Sequence, residues 1–167
     1  ADGTYMVAIL EEAGAGGPDF SYDLSITAVD VPIINELEAN DARANANALP
    51  VLPVAITGTL KFWETAGDDL EDWFSFNATA GQKLTARTMA GKAPDITDTT
   101  LELYDANGTM LADSADISFD NWYSEIVDFE LTAGGTYYLL VKAEVGYGHV
   151  PASADEPGSY ICDASVK

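Results

Sequence analysis

Apolar positions in this chain recur every second residue in short runs and almost never with helical spacing. Runs rich in β-branched and aromatic residues, separated by Gly, Asn and Asp, predict strands near Val54–Phe62, Trp73–Ala78, Lys83–Met89, Thr100–Asp105, Met110–Asp113, Glu125–Leu131, Thr136–Ala143 and Ser159–Val166. Asp105–Gly108 reads Asp-Ala-Asn-Gly, a tight-turn signal, because Asn and Gly tolerate positive φ. Thr-Ala-Gly precedes a strand twice, at Thr79–Gly81 and Thr132–Gly134. Short strands at this spacing predict an all-β chain folded as an antiparallel, jelly-roll-like β-sandwich.

The alternation also selects the buried faces. Tyr137, Leu139 and Val141 share one side of a strand, and Tyr160, Cys162, Ala164 and Val166 share one side of the next. Together these strands read as a closing hairpin with Cys162 as a small core residue. On the same period-two rule Trp73 reads as core, at the start of a strand where it alternates with Ser75. The beginning of the chain repeats the closing pattern. "GTYMVAILEE" (residues 3–12) matches "GTYYLLVKAE" (135–144), and "FSYDLSI" (20–26) matches "GSYICDA" (158–164). Tyr5, Val7 and Ile9 therefore face Tyr22, Leu24 and Ile26 in an extra N-terminal β-hairpin. Two strands alone are marginal in water. The hairpin is expected to be covered, as the end of a preceding copy of the domain or as strands added to a neighbour's sheet. The resulting division is 1–29 hairpin, 30–53 acidic linker and 54–167 sandwich. The linker is rich in Asn, Ala and Pro, with one helical turn expected around Asp41–Ala48, and Pro50 and Pro53 stop any helix there.

Charge changes the picture most. The chain of 167 residues carries 28 acidic and 7 basic residues, a net charge of −21. Such a surface repels phosphate backbones and anionic membranes, so nucleic acid is excluded as a partner class. No apolar run approaches the roughly 18 residues that read as a membrane-spanning helix, and no signal-peptide pattern is visible. One cysteine rules out an intrachain disulfide.

The acids cluster in two places. Glu36, Glu38, Asn40 and Asp41 form one stretch, and Asp68, Asp69, Glu71 and Asp72 form the other. In an extended segment Glu36, Glu38 and Asn40 point the same way, and Asp69 and Asp72 can converge in a turn. Carboxylate and amide oxygens from two segments suit calcium, which takes about 6–8 oxygen ligands in flexible geometry. The bland alternative is a solvated acidic face, which so acidic a composition produces by chance. The spacing is not that of an EF-hand loop.

Catalytic readings are poor. His149 is the only histidine, so a Ser-His-Asp or Cys-His site would have to use it, and Cys162 points inward. Zinc fits badly with one His and one Cys. A glycosidase-type carboxylate pair has no evident cleft. Trp122 and Tyr123, in the loop "DNWYSE", are the expected exposed aromatic contact for a partner or ligand.

The series "ELEANDARANANALP", "ITGTL", "GDDLEDWFSFNATAGQKLTA", "TTLELYDANGTML", "GGTYYLLVKA" and "GSY", over residues 36–167, resembles the bacterial pre-peptidase C-terminal (PPC) domain and its relatives, the collagen-binding domains of clostridial collagenases. The resemblance implies a β-sandwich that accompanies catalytic domains of secreted proteases or surface proteins and is not itself an enzyme. It also implies calcium ligands at Glu36, Glu38, Asn40, Asp41, Asp69 and Asp72, with Asp68 and Glu71 outside the ligand set. Collagen binding does not carry over, because the positions matching the relatives' tyrosines are Lys142 and Glu144. The resulting expectation is an extracellular, calcium-stabilised accessory or adhesion domain beside similar domains. A self-assembling structural subunit that packs its hairpin on an identical subunit is the first alternative. A carbohydrate- or protein-binding module is the second.

Overall fold

The computed structural model describes residues 30–61, 69–91, 98–119, 121–144 and 158–167. The chain divides into two compact units, Ala1–Asp30 and Val31–Lys167, and every described strand belongs to the second. The N-terminal hairpin with Tyr5, Val7, Ile9, Tyr22, Leu24 and Ile26 lies outside the described residues, as do Asp68 and His149.

The described residues form ten strands and a single 3-10 turn. The strands are β1 (Ile33–Asn35), β2 (Asn47–Ala48), β3 (Val54–Leu60), β4 (Glu71–Ala78), β5 (Lys83–Ala90), β6 (Thr99–Tyr104), β7 (Met110–Ser114), β8 (Glu125–Glu130), β9 (Gly135–Ala143) and β10 (Gly158–Val166). They build two five-stranded sheets, one ordered β1-β3-β10-β5-β8 and the other β2-β4-β9-β6-β7. The eight strands from β3 to β10 fall where the alternation places them. In β3, β4 and β6 every second residue is buried, the mark of a sheet with one face on a core. Facing rows such as Ile56, Leu84 and Cys162 from one sheet, and Phe74, Leu103 and Leu139 from the other, fill the space between.

Three features differ from the sequence reading. First, β1 and β2 come from the segment read as a linker. Each runs parallel to its partner, β1 beside β3 and β2 beside β4, so both sheets are mixed. The segment thus edges both sheets, with the expected helical turn reduced to a 3-10 turn at Arg43–Asn45. Two- and three-residue strands carry too little alternation to be read from sequence. Second, β9 and β10 are not a hairpin. β9 lies between β4 and β6, and β10 lies between β3 and β5, in opposite sheets. A connection as long as residues 144–157 can span about 45 Å, far more than the roughly 10 Å between packed sheets. Third, Trp73 is on the outer side. Asp72, Phe74, Phe76 and Ala78 are the inward residues of β4. The alternation is right in period and wrong in phase at Trp73, because a carboxylate takes the inward position next to it.

The predicted Asp-Ala-Asn-Gly turn forms between β6 and β7. Asp105 Oδ1 accepts from the Asn107 and Thr109 amides at 2.9 and 2.8 Å, and Gly108 adopts φ +85°. At that φ a side chain is strained, which explains the glycine.

Candidate metal centre

The inward phase of β4 places the Asp72 carboxylate, fully buried, at one end of the core. Asp69 enters just before β4, where its backbone exchanges hydrogen bonds with Lys61 at 2.7 and 3.1 Å. The chain leaving β1 brings the other acids to them. The Glu36 amide donates to the Thr57 carbonyl at 3.0 Å, and the Asn40 carbonyl accepts from the Trp73 amide at 3.0 Å. Asn47 clamps the intervening loop through two hydrogen bonds with the Leu37 backbone. The first acidic stretch is thereby stitched to β3 at one end and to β4 at the other.

Five of the six expected ligands then fall into two overlapping triads, Glu36–Glu38–Asp72 and Glu38–Asp41–Asp69. Within each, one oxygen per residue lies within 4.8 Å of the others. The sixth, Asn40, is completely buried, and its side-chain amide lies 3.1 Å from Asp72 Oδ1 and 3.0 Å from Glu38 Oε2. With its NH₂ turned inward it donates to both carboxylates. With its oxygen inward the centre is lined by oxygen alone, as a hard cation requires.

The electrostatics are those of crowded, desolvated acids. Burial first, then the Glu36 charge, pushes Asp72 up to about 9. Burial, followed by the approach and charge of Glu38, pushes Asp69 up to about 8. Burial also raises Glu36, against hydrogen bonds from Thr59. None of the three ion pairs among the described residues touches these acids. Both Asp69 oxygens are buried and accept no hydrogen bond, although a proton shared with Glu38 would satisfy one of them. Buried carboxylates of this kind require compensation by protonation or by a cation. The donor set fits calcium: six oxygen-bearing side chains from two segments, no sulfur and no histidine.

Sequence reasoning did not single out Tyr160 for this site. Its hydroxyl donates to Asp72 Oδ2 at 2.7 Å and lies 3.3 Å from Glu36 Oε2. Tyr160 pairs with Gly58 across β10 and β3, and any Cβ at Gly58 would collide with the tyrosine ring and the Glu36 carboxylate. The only signal in sequence was the missing side chain in a strand rich in β-branched residues. Glu71 faces away from the centre, where it accepts from Trp73 Nε1 at 3.2 Å. Trp122 and Tyr123 are half-buried, and the strongly exposed aromatic of their loop is Phe119, 93% exposed. A further acidic triad, Asp98, Asp116 and Glu144, comes from three distant segments and could not be read from local clustering.

Fold and centre together define an all-β sandwich with an acidic oxygen cluster beside its first strands. Residues 70–143, from β4 to β9, match the family model of the bacterial pre-peptidase C-terminal domain, as the sequence resemblance implied. That span includes Asp72 and none of the other five cluster residues. No curated protein matches the chain. Among solved structures, the pre-peptidase C-terminal domain of collagenase from Bacillus anthracis is similar at 19% identity and TM-score 0.50, covering 72% of this chain and 94% of that one. At that identity the likeness speaks for the fold. The periplasmic g-type lysozyme inhibitors PliG of Salmonella Typhimurium and Aeromonas hydrophila are more distant. Each covers 83% of this chain and 100% of its own, at 17% and 14% identity and TM-scores of 0.43 and 0.41.

Proposed function

We propose that this chain is a non-catalytic accessory domain of an extracellular protein, and that calcium at the Glu36–Asp72 cluster fastens its entry segment to the sandwich. The observation that carries the reading is the convergence of five carboxylates from two segments, with Asp69 buried and facing other carboxylates. A divalent cation replaces mutual repulsion by shared attraction and ties residues 36–41 to 69–72. Such a link stiffens the point where a preceding domain would join. The match between residues 3–26 and the segments of β9 and β10 supports a similar domain as that neighbour. The family match to PPC supports the accessory role and a secreted setting.

The test is thermal melting during calcium titration. Calcium should raise the melting temperature of the native chain, and Asp69→Ala combined with Asp72→Ala should abolish the rise. No shift in the native chain, or a shift that survives the double substitution, overturns the reading.

A further inference from the structure

The outer face of the β2-β4-β9-β6-β7 sheet carries a second arrangement, on the opposite side of β4 from Asp72. Register places Trp73, Leu140, Glu102 and Asp113 in one row across β4, β9, β6 and β7, and Ser75, Tyr138 and Tyr104 in the next. The Trp73 and Tyr104 rings lie 5.1 Å apart at 42°. Leu140 points outward by alternation, paired with Trp73 on one side and Glu102 on the other, and is only 2% exposed. Carboxylates on the same face hold the polar ends of both rings: Glu71 accepts from the Trp73 indole, and Glu102 accepts from the Tyr104 hydroxyl.

The chain's own cations show what this face accepts. The Arg43 guanidinium sits 5.4 Å from the centroid of the Tyr138 ring, and Lys142 Nζ lies 3.9 Å from Glu71 Oε1. Two of seven basic residues thus rest on one face of a strongly acidic protein. Aromatic faces ringed by carboxylates attract ammonium and guanidinium groups twice, through the ring quadrupole and through the ion pair. An anionic ligand is repelled, and a purely apolar one would strip water from Glu71, Glu102 and Asp113 without return. A face four strands wide offers an extended chain several rows of side chains to lie across.

We propose that this face docks a basic polypeptide segment, with Lys or Arg side chains reaching between Trp73, Tyr104 and the carboxylates of Glu71 and Glu102. The partner goes beyond the accessory role and does not depend on calcium.

The test titrates ¹⁵N-labelled protein with a synthetic peptide alternating Arg and Gly, an acidic peptide of equal length and a glucosamine oligomer. The basic peptide should shift the Trp73 indole and the amides of residues 102, 104, 138 and 140, equally with and without calcium. Trp73→Ala, which leaves net charge unchanged, should weaken binding by about tenfold. If that variant fails to fold, Glu71→Gln with Glu102→Gln is compared with Glu130→Gln with Asp163→Asn, an equal charge change elsewhere. Only the first pair should weaken binding. Four outcomes overturn the proposal. They are shifts spread over the whole acidic surface, binding that calcium abolishes, equal losses from the two pairs, and a response to the glucosamine oligomer alone.

Discussion

The Tyr160 hydroxyl donates to Asp72 Oδ2 at 2.7 Å across the end of the core, joining the last strand of one sheet to the acidic centre of the other. Tyr160→Phe keeps the ring and removes this bond from a buried carboxylate. Without metal Asp72 holds its proton, and a neutral hydrogen bond contributes about 0.5–1.5 kcal/mol, so the variant should unfold at lower denaturant concentration. Its calcium-dependent rise in melting temperature should also shrink. Chemical denaturation and calorimetry, each with and without calcium, measure both effects.

Gly58 lies directly opposite Tyr160 in the β3–β10 pairing. Gly58→Ala drives a methyl group into the Tyr160 ring and the Glu36 carboxylate. Overpacking of this kind costs about 1–3 kcal/mol. The expected result is a lower midpoint of urea unfolding with weakened calcium stabilisation, because ring and carboxylate must both give way.

The raised acids fix the sign of the pH dependence without metal. Asp69 and Asp72 hold protons in the folded state up to about 8 and about 9, and release them near 3.8 when unfolded. Between these limits the folded chain binds more protons than the unfolded one, so stability falls as pH rises. Calcium-free protein in chelator should melt at progressively lower temperature from about pH 5 to about pH 9. Saturating calcium should flatten the slope, because a bound cation offsets the repulsion among the same carboxylates when they are ionised.

Thr88, Thr99 and Ser124 form a buried hydroxyl knot between the sheets. Thr88 Oγ1 lies 2.6 Å from Thr99 Oγ1 and accepts from the Ser124 amide at 2.9 Å. Thr88→Val preserves shape but leaves that amide without its side-chain acceptor. A buried donor left unsatisfied costs about 1–3 kcal/mol, to be read as a drop in urea midpoint with calcium stabilisation intact.

Cys162 is completely buried, and burial pushes its thiol up to about 12. A thiol that is both inaccessible and protonated does not react. Ellman's reagent should label it only in denaturant, and the labelling midpoint should coincide with global unfolding.

The sandwich and most of the metal candidates were legible along the chain. Period-two burial is a local property: Val54, Ile56 and Leu60 read as inward because a pleated strand alternates. The two acidic stretches are likewise visible as clusters of oxygen-bearing residues. Tertiary packing settled what local patterns cannot carry. It sent β9 and β10 to opposite sheets, since matching inward faces are equally consistent with paired strands and with strands facing across a core. It turned the supposed linker into edge strands of both sheets, where backbone pairing with β3 and β4 replaces alternation as the organising force. It turned Trp73 outward because Asp72 is held inward, beside Tyr160 and the other acids. And it gathered Trp73, Tyr104, Tyr138 and Leu140 from three strands onto one face, a grouping set by strand order, which no spacing along the chain encodes.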